Sequence, residues 1–449
     1  MSRAASDATM HAAPRTNGPQ APPGRLDRRL ARGANAVVGA VDGASLADAA
    51  TGRAPYTPAT IHRMTSSPRR QGSLAWANPA LLTVAAAATL TLFGAAAIDT
   101  TEPALARKQL LFAAVGVVGA ALAAIPSPRR IRELAWPLYV ATLVLLVLVL
   151  VPFMPEWLVH ARKGSRRWIN LGFVDFQPSE LAKLSYVLVL ALWLRTSDHH
   201  RRLVGLLPPF VLTLAPMALV LVEPDLGTSL LFVPTLMAML IAAGAKKRHI
   251  GAIVGLGLLV APLSYPVLEP HQRARIDALV AQIRGDDRYE QDIGFQGARA
   301  MTLVGAGGVG GVGREHADAL VTYNGLPEEH NDMIFAVVCC RWGLVGGVAT
   351  WLLFLLAGIG GVLTAAAARE PFARLVAVGL TTLLLAQAII NTGMTLGLLP
   401  ITGMTLPFVS YGGSSLVATW VMVGVLFGVA LRRDRFRLHE SFEFGEEGT

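Results

Sequence analysis

Apolar and polar positions follow one another in long blocks along this chain, rather than with the short periods of a soluble domain. Between residues 74 and 431 the apolar runs are 17 or more residues long, and short polar or Gly/Pro-rich stretches separate them. A hydrocarbon core about 30 Å thick takes roughly 20 apolar residues in a helix. The pattern therefore predicts an all-α polytopic membrane protein with ten transmembrane helices. The predicted spans are 74–98, 109–125, 134–154, 178–195, 203–222, 228–244, 249–268, 333–366, 372–398 and 413–431.

The basic residues indicate how these spans are oriented. Cytoplasmic loops of membrane proteins carry an excess of Lys and Arg. If the first span leaves the cytoplasm, every cytoplasmic connection of this chain is basic, which predicts cytoplasmic termini and a large extracytoplasmic loop, 269–332, between helices 7 and 8. The clusters that support this are Arg129, Arg130 and Arg132; Arg195, Arg201 and Arg202; Lys246, Lys247 and Arg248; Arg369 and Arg374; and Arg432, Arg433, Arg435 and Arg437.

Composition agrees with a membrane protein. The chain is 53% hydrophobic and 15% charged, whereas soluble domains carry about 25% charge. The net charge of +9 comes largely from the loops that set topology and does not indicate a nucleic-acid partner. Residues 1–73 have no sustained apolar period and are predicted to be a disordered cytoplasmic tail, with 432–449 as a cytoplasmic C-terminal tail. Cys339 and Cys340 lie inside an apolar run, so we expect them to be packing residues.

The stretch Leu326–Phe335 holds three carboxylates and a histidine at the mouth of a predicted span. Acids at a membrane boundary are costly to desolvate and are candidates for function. Asp332 is the acid closest to the span. The alternative is that Asn331 or Asp332 caps the helix that follows.

The outer segment 155–177 departs from the rule that Lys and Arg are concentrated in the cytoplasmic loops. It carries Arg162, Lys163, Arg166 and Arg167 on the outer side, so we expect these cations to serve an anionic ligand. Pro178 suits the first turn of the next helix. In that helix Glu180 and Lys183 are three residues apart and share a face. A structural ion pair is the alternative to a functional one.

The other outer segments contain turn and loop signals. Asp225 is predicted to cap the helix that follows it, through Thr228. Apolar residues between 276 and 283 predict an amphipathic helix, with Arg273 and Arg275 on its polar face. The glycine-rich stretch 305–313 contains G-x-G-x-x-G, but no βαβ unit surrounds it, so a dinucleotide site is rejected. A flexible turn is favoured there over a close backbone contact.

The last outer segment, 397–415, is rich in Gly, Pro and hydroxyl side chains. Non-helical backbone at membrane depth is tolerated where protein buries it or where it lines a cavity. The composition therefore predicts a re-entrant wall of a cavity.

Several of these motifs together resemble the SEDS family, the RodA and FtsW proteins of bacterial cell-wall synthesis. The resemblance covers about 74–431 and rests on Arg167-Trp168 with Phe176 to Lys183, Pro224 to Ser229, Leu326 to Asp332, and Pro407 to Ser415. It implies ten transmembrane helices and a peptidoglycan glycosyltransferase that polymerises lipid II at the outer face of the bacterial cytoplasmic membrane. It also implies a class B penicillin-binding protein, a transpeptidase, as partner.

The resemblance also assigns residues. The essential acid of the family falls on Asp332, while Arg167, Glu180, Lys183 and Asp225 would line the central cavity. We add Arg273 and Ser410 as substrate-binding candidates. The chain departs from the family pattern at Asn331, where Thr is usual, at 339–342, where Cys-Cys-Arg-Trp replaces an acidic pair, and at 305–308, where Ala replaces Ser in the glycine stretch.

The expected chemistry is the displacement of a diphosphate-linked lipid by a sugar hydroxyl. Asp332 would be the general base, and Arg166, Arg167, Arg273, Arg275 and Lys183 are the cations available to the leaving group. No metal-ligand set is predicted, although Mg²⁺ or Mn²⁺ could assist. A lipid II flippase and a scaffold that recruits a synthase are the competing hypotheses. Residues 167–172 favour a RodA-like role in elongation and 404–408 an FtsW-like role in division; the RodA-like role is preferred.

Overall fold

The structure is a computed structural model. It describes residues 78–155, 157–162, 165–170, 172, 175–196, 204–267, 270–284 and 294–432. The predicted N-terminal tail, 1–73, and residues 433–449 of the predicted C-terminal tail lie outside the described residues.

A helix occupies each of the ten predicted spans, and three further helices lie in the described part of the outer segment 269–332. The helices are α1 (Ala80–Ile98), α2 (Pro103–Ala124), α3 (Pro128–Leu150), α4 (Pro178–Thr196), α5 (Leu207–Val222), α6 (Leu226–Ala242), α7 (Lys247–Ser264), α8 (Pro270–Arg284), α9 (Phe295–Gly307), α10 (Arg314–Asn324), α11 (Ile334–Ala367), α12 (Pro371–Thr395) and α13 (Gly413–Leu431). Short 3₁₀ turns, Val204–Leu206 and Tyr265–Val267, precede α5 and follow α7.

Seven of the described helices are long and apolar enough to cross a membrane: α1, α2, α3, α5 with its 3₁₀ turn, α11, α12 and α13. Helix α6 is apolar but has only 17 residues. Helix α4 carries Glu180, Lys183 and Arg195, and the first turn of α7 carries Lys247 and Arg248, which makes both helices more polar. The chain is thus a multi-pass membrane protein, and the count of ten spans stays a prediction.

Two helix starts differ from the prediction because proline occupies the first turn. Helix α2 begins at Pro103 rather than at 109, so the outer connection shrinks to 99–102. Helix α3 begins at Pro128, where the Ser127 side chain accepts a hydrogen bond from the Arg130 amide at 3.4 Å. Proline is well suited to the first helical turn, where its missing N–H is not needed. The basic cluster predicted as a loop therefore forms the first turn of α3.

The all-α prediction is corrected by a small antiparallel sheet in the outer segment 155–177. Its strands are β1 (Val159–Arg162), β2 (Ser165–Asn170) and β3 (Asp175–Phe176), in the order β1-β2-β3. Val159 pairs with Ile169, and both side chains are buried against the last turns of α3. Val159 and Ile169 are β-branched and become buried when they pair in strands. Several residues around them are polar, so the sequence pattern does not predict strands there, and the sheet depends on packing against α3.

Ion pairs and caps join the loops into two groups. Arg132 of α3 and Arg195 of α4 both contact Glu370, before α12, and Arg432 donates to the carbonyl of Ala124 at the end of α2, 2.9 Å away. Separately, Arg314 pairs with Asp99 at 2.8 Å, and Arg341 donates to Thr100 at 3.0 Å. The first group joins the predicted cytoplasmic ends of helices, and the second joins predicted outer segments to each other and to Arg341 of α11.

Helix α11 is broken at Gly343, whose backbone is left-handed in φ (65°) and non-helical in ψ (−158°). A Cβ there would collide with the backbone of Val309 and Gly311, so only glycine fits. The glycine-rich stretch 307–313 packs into the break and supplies the hydrogen bonds that the interrupted helix loses. They are Val312 N to Cys340 O, 3.0 Å; Gly313 N to Arg341 O, 3.1 Å; Leu344 N to Gly308 O, 2.9 Å; and Val345 N to Val309 O, 3.2 Å.

This glycine interlock, 307–313 with 340–345, corrects the prediction of a flexible turn. Close backbone approach, the alternative considered less favourable, is what the structure contains. A Cβ on Gly307 or Gly311 would meet the carbonyl oxygens of Cys339 and Arg341. The two buried cysteines pack at this contact, as expected of small residues. The interlock fixes the first turns of α11, which follow Asp332.

Candidate active site

The segment 399–412 lies at the centre of the candidate site. It is non-helical over 400–406, as predicted, and Thr402, Met404 and Leu406 are buried. Two other segments bind its main chain: Arg275 Nη1 of α8 donates to the Ile401 carbonyl at 3.0 Å, and Asn391 Nδ2 of α12 donates to that of Met404 at 2.6 Å. The segment therefore brings together groups that are far apart in sequence.

Asp332 faces this segment from the turn between α10 and α11. The residue is 6% exposed. Its carbonyl accepts a hydrogen bond from the same Asn391 amide, at 2.7 Å. A Cβ built on Gly403 would stand 3.9 Å from its Oδ2. Helix α11 begins at Ile334 after Met333, with no side-chain cap, so the hypothesis that Asn331 or Asp332 serves as N-cap is wrong.

The turn that carries Asp332 is held by its own side chains and by the start of α13. Asn331, the departure from the family pattern, donates to the Glu328 carboxylate at 2.5 Å. Glu328 itself has a left-handed φ of 57°, a conformation that costs free energy and is common at functional sites. The His330 carbonyl accepts from the Tyr411 amide at 2.8 Å. The turn is thus rigidly positioned against segment 399–412.

Two arginines from separate elements lie near the acids. Arg167 of β2 donates to the carbonyls of Glu223 and Pro224, both at 2.6 Å. Burial lowers the pKa of Arg275, and the charge of Arg167 lowers it further, whereas Asp332 and Asp225 raise it. The positive charge of Arg167 thus makes Arg275 more costly to keep charged. An anion between them would relieve that repulsion.

Asp225 plays the structural role predicted for it. Its Oδ1 accepts from the Thr228 amide at 3.1 Å, and its Oδ2 accepts from the Thr228 hydroxyl at 3.0 Å, which caps α6. Gln177, just before α4, also donates to Oδ2 at 3.3 Å. The negative charge of Asp225 nevertheless raises the pKa of Arg275. The same carboxylate can therefore cap the helix and contribute to the field of the site.

Glu180 and Lys183 form the expected ion pair, with Nζ 2.9 Å from the carboxylate. Both side chains are buried in the bundle. Lys183 also donates to Gln387 Oε1 at 3.0 Å, and Gln387 Nε2 donates to the Thr405 carbonyl at 2.9 Å. The ion pair is thus linked to segment 399–412 through Gln387. Lys183 and Gln387 also line a small cavity.

The remaining two predicted residues have other surroundings. Ser410 is buried, and its hydroxyl accepts from the Leu406 amide at 2.7 Å, closing the turn in which Phe408 has a φ of 66°. Arg273 donates to the carbonyl of Pro266. Arg275, two residues on, interacts electrostatically with Asp332.

Sequence reasoning did not select three residues that the structure places here: Glu223, Gln387 and Asn391. Glu223 satisfies the criterion used for Asp332, an acid at a membrane boundary. Gln387 and Asn391 are polar residues inside an apolar span, which also signals function or buried hydrogen bonding. The sequence marks these three residues as unusual for their positions, but it does not show which groups, far away in the sequence, they contact.

Among the described residues, no group of three or more His, Cys, Asp or Glu side chains is arranged to hold a metal ion. The donor set near Asp332 is also mixed with two arginines, which disfavours a bound cation. The described residues of the site therefore do not fit a resident metal ion.

Comparisons with known proteins agree on one family. The model for FtsW, RodA and SpoVE, described as a cell cycle protein, matches residues 73–435. The probable peptidoglycan glycosyltransferase FtsW of Geobacter metallireducens is 33% identical over 363 residues, 77% of this chain and 93% of that protein. The peptidoglycan glycosyltransferase MrdB of Escherichia coli K12 is 33% identical over 318 residues, 71% of this chain and 83% of that protein.

Solved structures give the same result. A chain from a structure titled for the coordination of polymerization and crosslinking by a peptidoglycan synthase complex aligns with a TM-score of 0.67 and 31% identity, over 79% of this chain and 98% of that one. The crystal structure of the rod shape determining protein RodA of Thermus thermophilus aligns with a TM-score of 0.58 and 29% identity, over 79% of this chain and 97% of that one.

Proposed function

The chain belongs to the FtsW, RodA and SpoVE family and is a peptidoglycan glycosyltransferase, and from this premise we propose that it polymerises lipid II with Asp332 as general base. The observation that carries the proposal is the meeting of Asp332, Arg275, Arg167 and Asp225 around segment 399–412. These groups come from three separate outer segments, since Arg275 and Asp332 share the segment 269–332.

Asp332 suits the role of a base. A sugar hydroxyl is a weak nucleophile, and a positioned carboxylate that takes its proton accelerates attack by about 10²–10⁴-fold. The Asn391 hydrogen bond to the Asp332 carbonyl, at 2.7 Å, fixes the backbone from which the carboxylate projects.

Arg167 and Arg275 are suited to stabilise the negative charge of the leaving group. Lipid II carries a diphosphate between sugar and lipid, and its departure adds negative charge. Each arginine spends only part of its donor capacity on backbone carbonyls in the described contacts and keeps further N–H groups for phosphate oxygens. The repulsion between them makes an anion at this place favourable.

The step proposed is an in-line displacement. The acceptor hydroxyl loses its proton to Asp332 as its oxygen bonds to the anomeric carbon of the donor. The bond between that carbon and the diphosphate oxygen breaks, and its electron pair leaves with the diphosphate. Inversion turns an α-linked donor into a β-linked product. The proton on Asp332 then passes to solvent before the next addition.

Polymerisation is tested with the purified chain in detergent or liposomes, supplied with lipid II alone. We expect glycan polymers on gels from the wild type and none from Asp332→Asn. Asp318→Asn, on α10, is the matched control and should retain polymer formation. The flippase hypothesis predicts no polymer from any variant, with transfer of lipid II across liposomes instead; the scaffold hypothesis predicts neither.

For the biological role we propose RodA-like elongation at the outer face of the cytoplasmic membrane, with a class B penicillin-binding protein as partner. Matches to proteins named FtsW, MrdB and RodA support either role, and the 167–172 motif favours elongation. Depletion in the source bacterium should give round cells; filaments would assign division instead. Co-purification should recover a transpeptidase with a single membrane helix.

A further inference from the structure

Glu223 is a second buried acid beside the site. It follows the last residue of α5 and lies two residues before Asp225, the cap of α6. The residue is 1% exposed, and neither carboxyl oxygen has a hydrogen-bond partner among the described residues. Its main chain is firmly held: the amide donates to Leu219 O at 3.1 Å, and the carbonyl accepts from Arg167 Nε at 2.6 Å.

The charges around Glu223 come from three elements. Asp225 lies on the same turn, Arg167 approaches from β2, and Arg275 of α8 interacts electrostatically with both Asp225 and Arg167. Burial raises the pKa of Glu223 to about 8; the Asp225 carboxylate adds to the rise, and the Arg167 guanidinium opposes it. The carboxyl is therefore protonated at neutral pH.

The contacts of Arg167 agree with a neutral neighbour. Its guanidinium donates to the carbonyls of Glu223 and Pro224 rather than to the Glu223 carboxyl. A carboxylate at this position would attract the guanidinium strongly, because a buried charge is stabilised chiefly by pairing. It would also place a second negative charge beside Asp225, where the diphosphate is proposed to bind.

We propose that Glu223 is a positioning residue that works as a neutral acid: while protonated it leaves Arg167 available to the diphosphate of the substrate, and when ionised it withdraws that arginine. This inference rests on the proposed function of the site. Glu223 itself is not expected to touch the reacting atoms.

The test is the pH dependence of KM and kcat for lipid II polymerisation between pH 6 and pH 10. For the wild type, KM should rise above pH 8, by about tenfold at pH 9, because each pH unit above a pKa removes about tenfold of the protonated form. The fold-increase in KM should be larger than any fold-decrease in kcat over the same pH range. Glu223→Gln, which mimics the neutral acid, should keep KM flat. Asp277→Asn on α8 is the control and should follow the wild type.

An alkaline rise in KM that persists in Glu223→Gln would overturn the inference and leave the proposed function intact, since that function is tested by the Asp332 variant. Glu223→Met supplies a second neutral side chain and should behave like Glu223→Gln. If both neutral variants fail to fold at every pH, the carboxyl is structural and the inference is overturned as well.

Discussion

Arg275 and Arg273 lie two residues apart on α8 but have different surroundings. Arg275 donates to Ile401 in segment 399–412 and interacts with Asp332, whereas Arg273 donates to Pro266. The sequence could place both on the polar face of one helix but could not decide between them. That decision depends on where the segment after α12 folds back.

Substitution of each arginine by glutamine tests this assignment. Arg275→Gln should raise KM for lipid II by about tenfold to a hundredfold, because a hydrogen bond to a charged group is worth about 1.5–3 kcal/mol. Arg273→Gln should change KM by about twofold or less. Steady-state polymerisation by the two purified variants measures both effects. A larger effect at Arg273 would favour the prediction made from sequence over the geometry of the structure.

Ser410 shows a different limit of the sequence. Its hydroxyl was a substrate-binding candidate, and the structure uses its oxygen to accept from the Leu406 amide. The motif from Pro407 to Ser415 marks the segment correctly, but a motif does not separate residues that hold the loop from residues that meet the ligand. Asn391 illustrates the converse, because its importance rests on two distant carbonyls, those of Asp332 and Met404.

At the scale of elements, the glycine interlock joins the outer helices α9 and α10 to α11. Gly343→Ala should destabilise the protein by about 3 kcal/mol or more, because alanine is strained at this backbone conformation and would displace the hydrogen bonds of 307–313. Gly305→Ala is the matched control: a Cβ there meets nothing within 4 Å, and the change should cost nothing or stabilise α9. Thermal unfolding in detergent measures both.

Equal stability of the two glycine variants would show that the interlock contributes little. Reduced polymer formation by Gly343→Ala at a temperature where it remains folded is also expected, since the first turns of α11, which connect Asp332 to the break, are held by the interlock. The interlock was not predictable from 305–313 alone, because the partner of those glycines, 340–345, reads as an uninterrupted apolar helix in the sequence.

The Glu180–Lys183 pair is the second element-scale feature. Lys183→Met should destabilise the bundle by about 3–5 kcal/mol, because it leaves a buried carboxylate without its cation. The double variant Glu180→Gln with Lys183→Met should be more stable than Lys183→Met alone, which a comparison of unfolding temperatures would reveal. A double variant as unstable as the single one would contradict the ion-pair account. The pairing itself was predictable, since i and i+3 residues share a helix face.

At the scale of the whole molecule, the apolar blocks predicted where helices form, and each predicted span contains one. Helix starts shifted where proline occupies the first turn, as at Pro103 and Pro128. The sheet was missed because burial of Val159 and Ile169 against α3 stabilises it. The ion pair of Arg132 with Glu370 joins two segments that the charge pattern places on the cytoplasmic side, so this contact agrees with the predicted topology.

Orientation is tested by cysteine labelling in a Cys339→Ala, Cys340→Ala background. Tyr323→Cys, at a 91% exposed position on α10, should react with an impermeant thiol reagent in intact cells or spheroplasts. Arg129→Cys, on the first turn of α3, should react only after permeabilisation, because the positive-inside rule places it in the cytoplasm. The reverse labelling pattern would place Asp332 on the cytoplasmic face and would remove the basis for outer-face polymerisation.

The central claim is that Asp332 takes a proton during glycosyl transfer and does not merely hold the substrate. The most direct measurement compares wild type and Asp332→Asn in single-turnover polymerisation at saturating lipid II, with lipid II binding measured in parallel on the same preparations. The account predicts binding within about threefold of wild type, since asparagine keeps the shape of the side chain, and a rate lowered by about 10²–10⁴-fold. A variant that forms polymer at the wild-type rate, or one that fails only because it no longer binds lipid II, would contradict it.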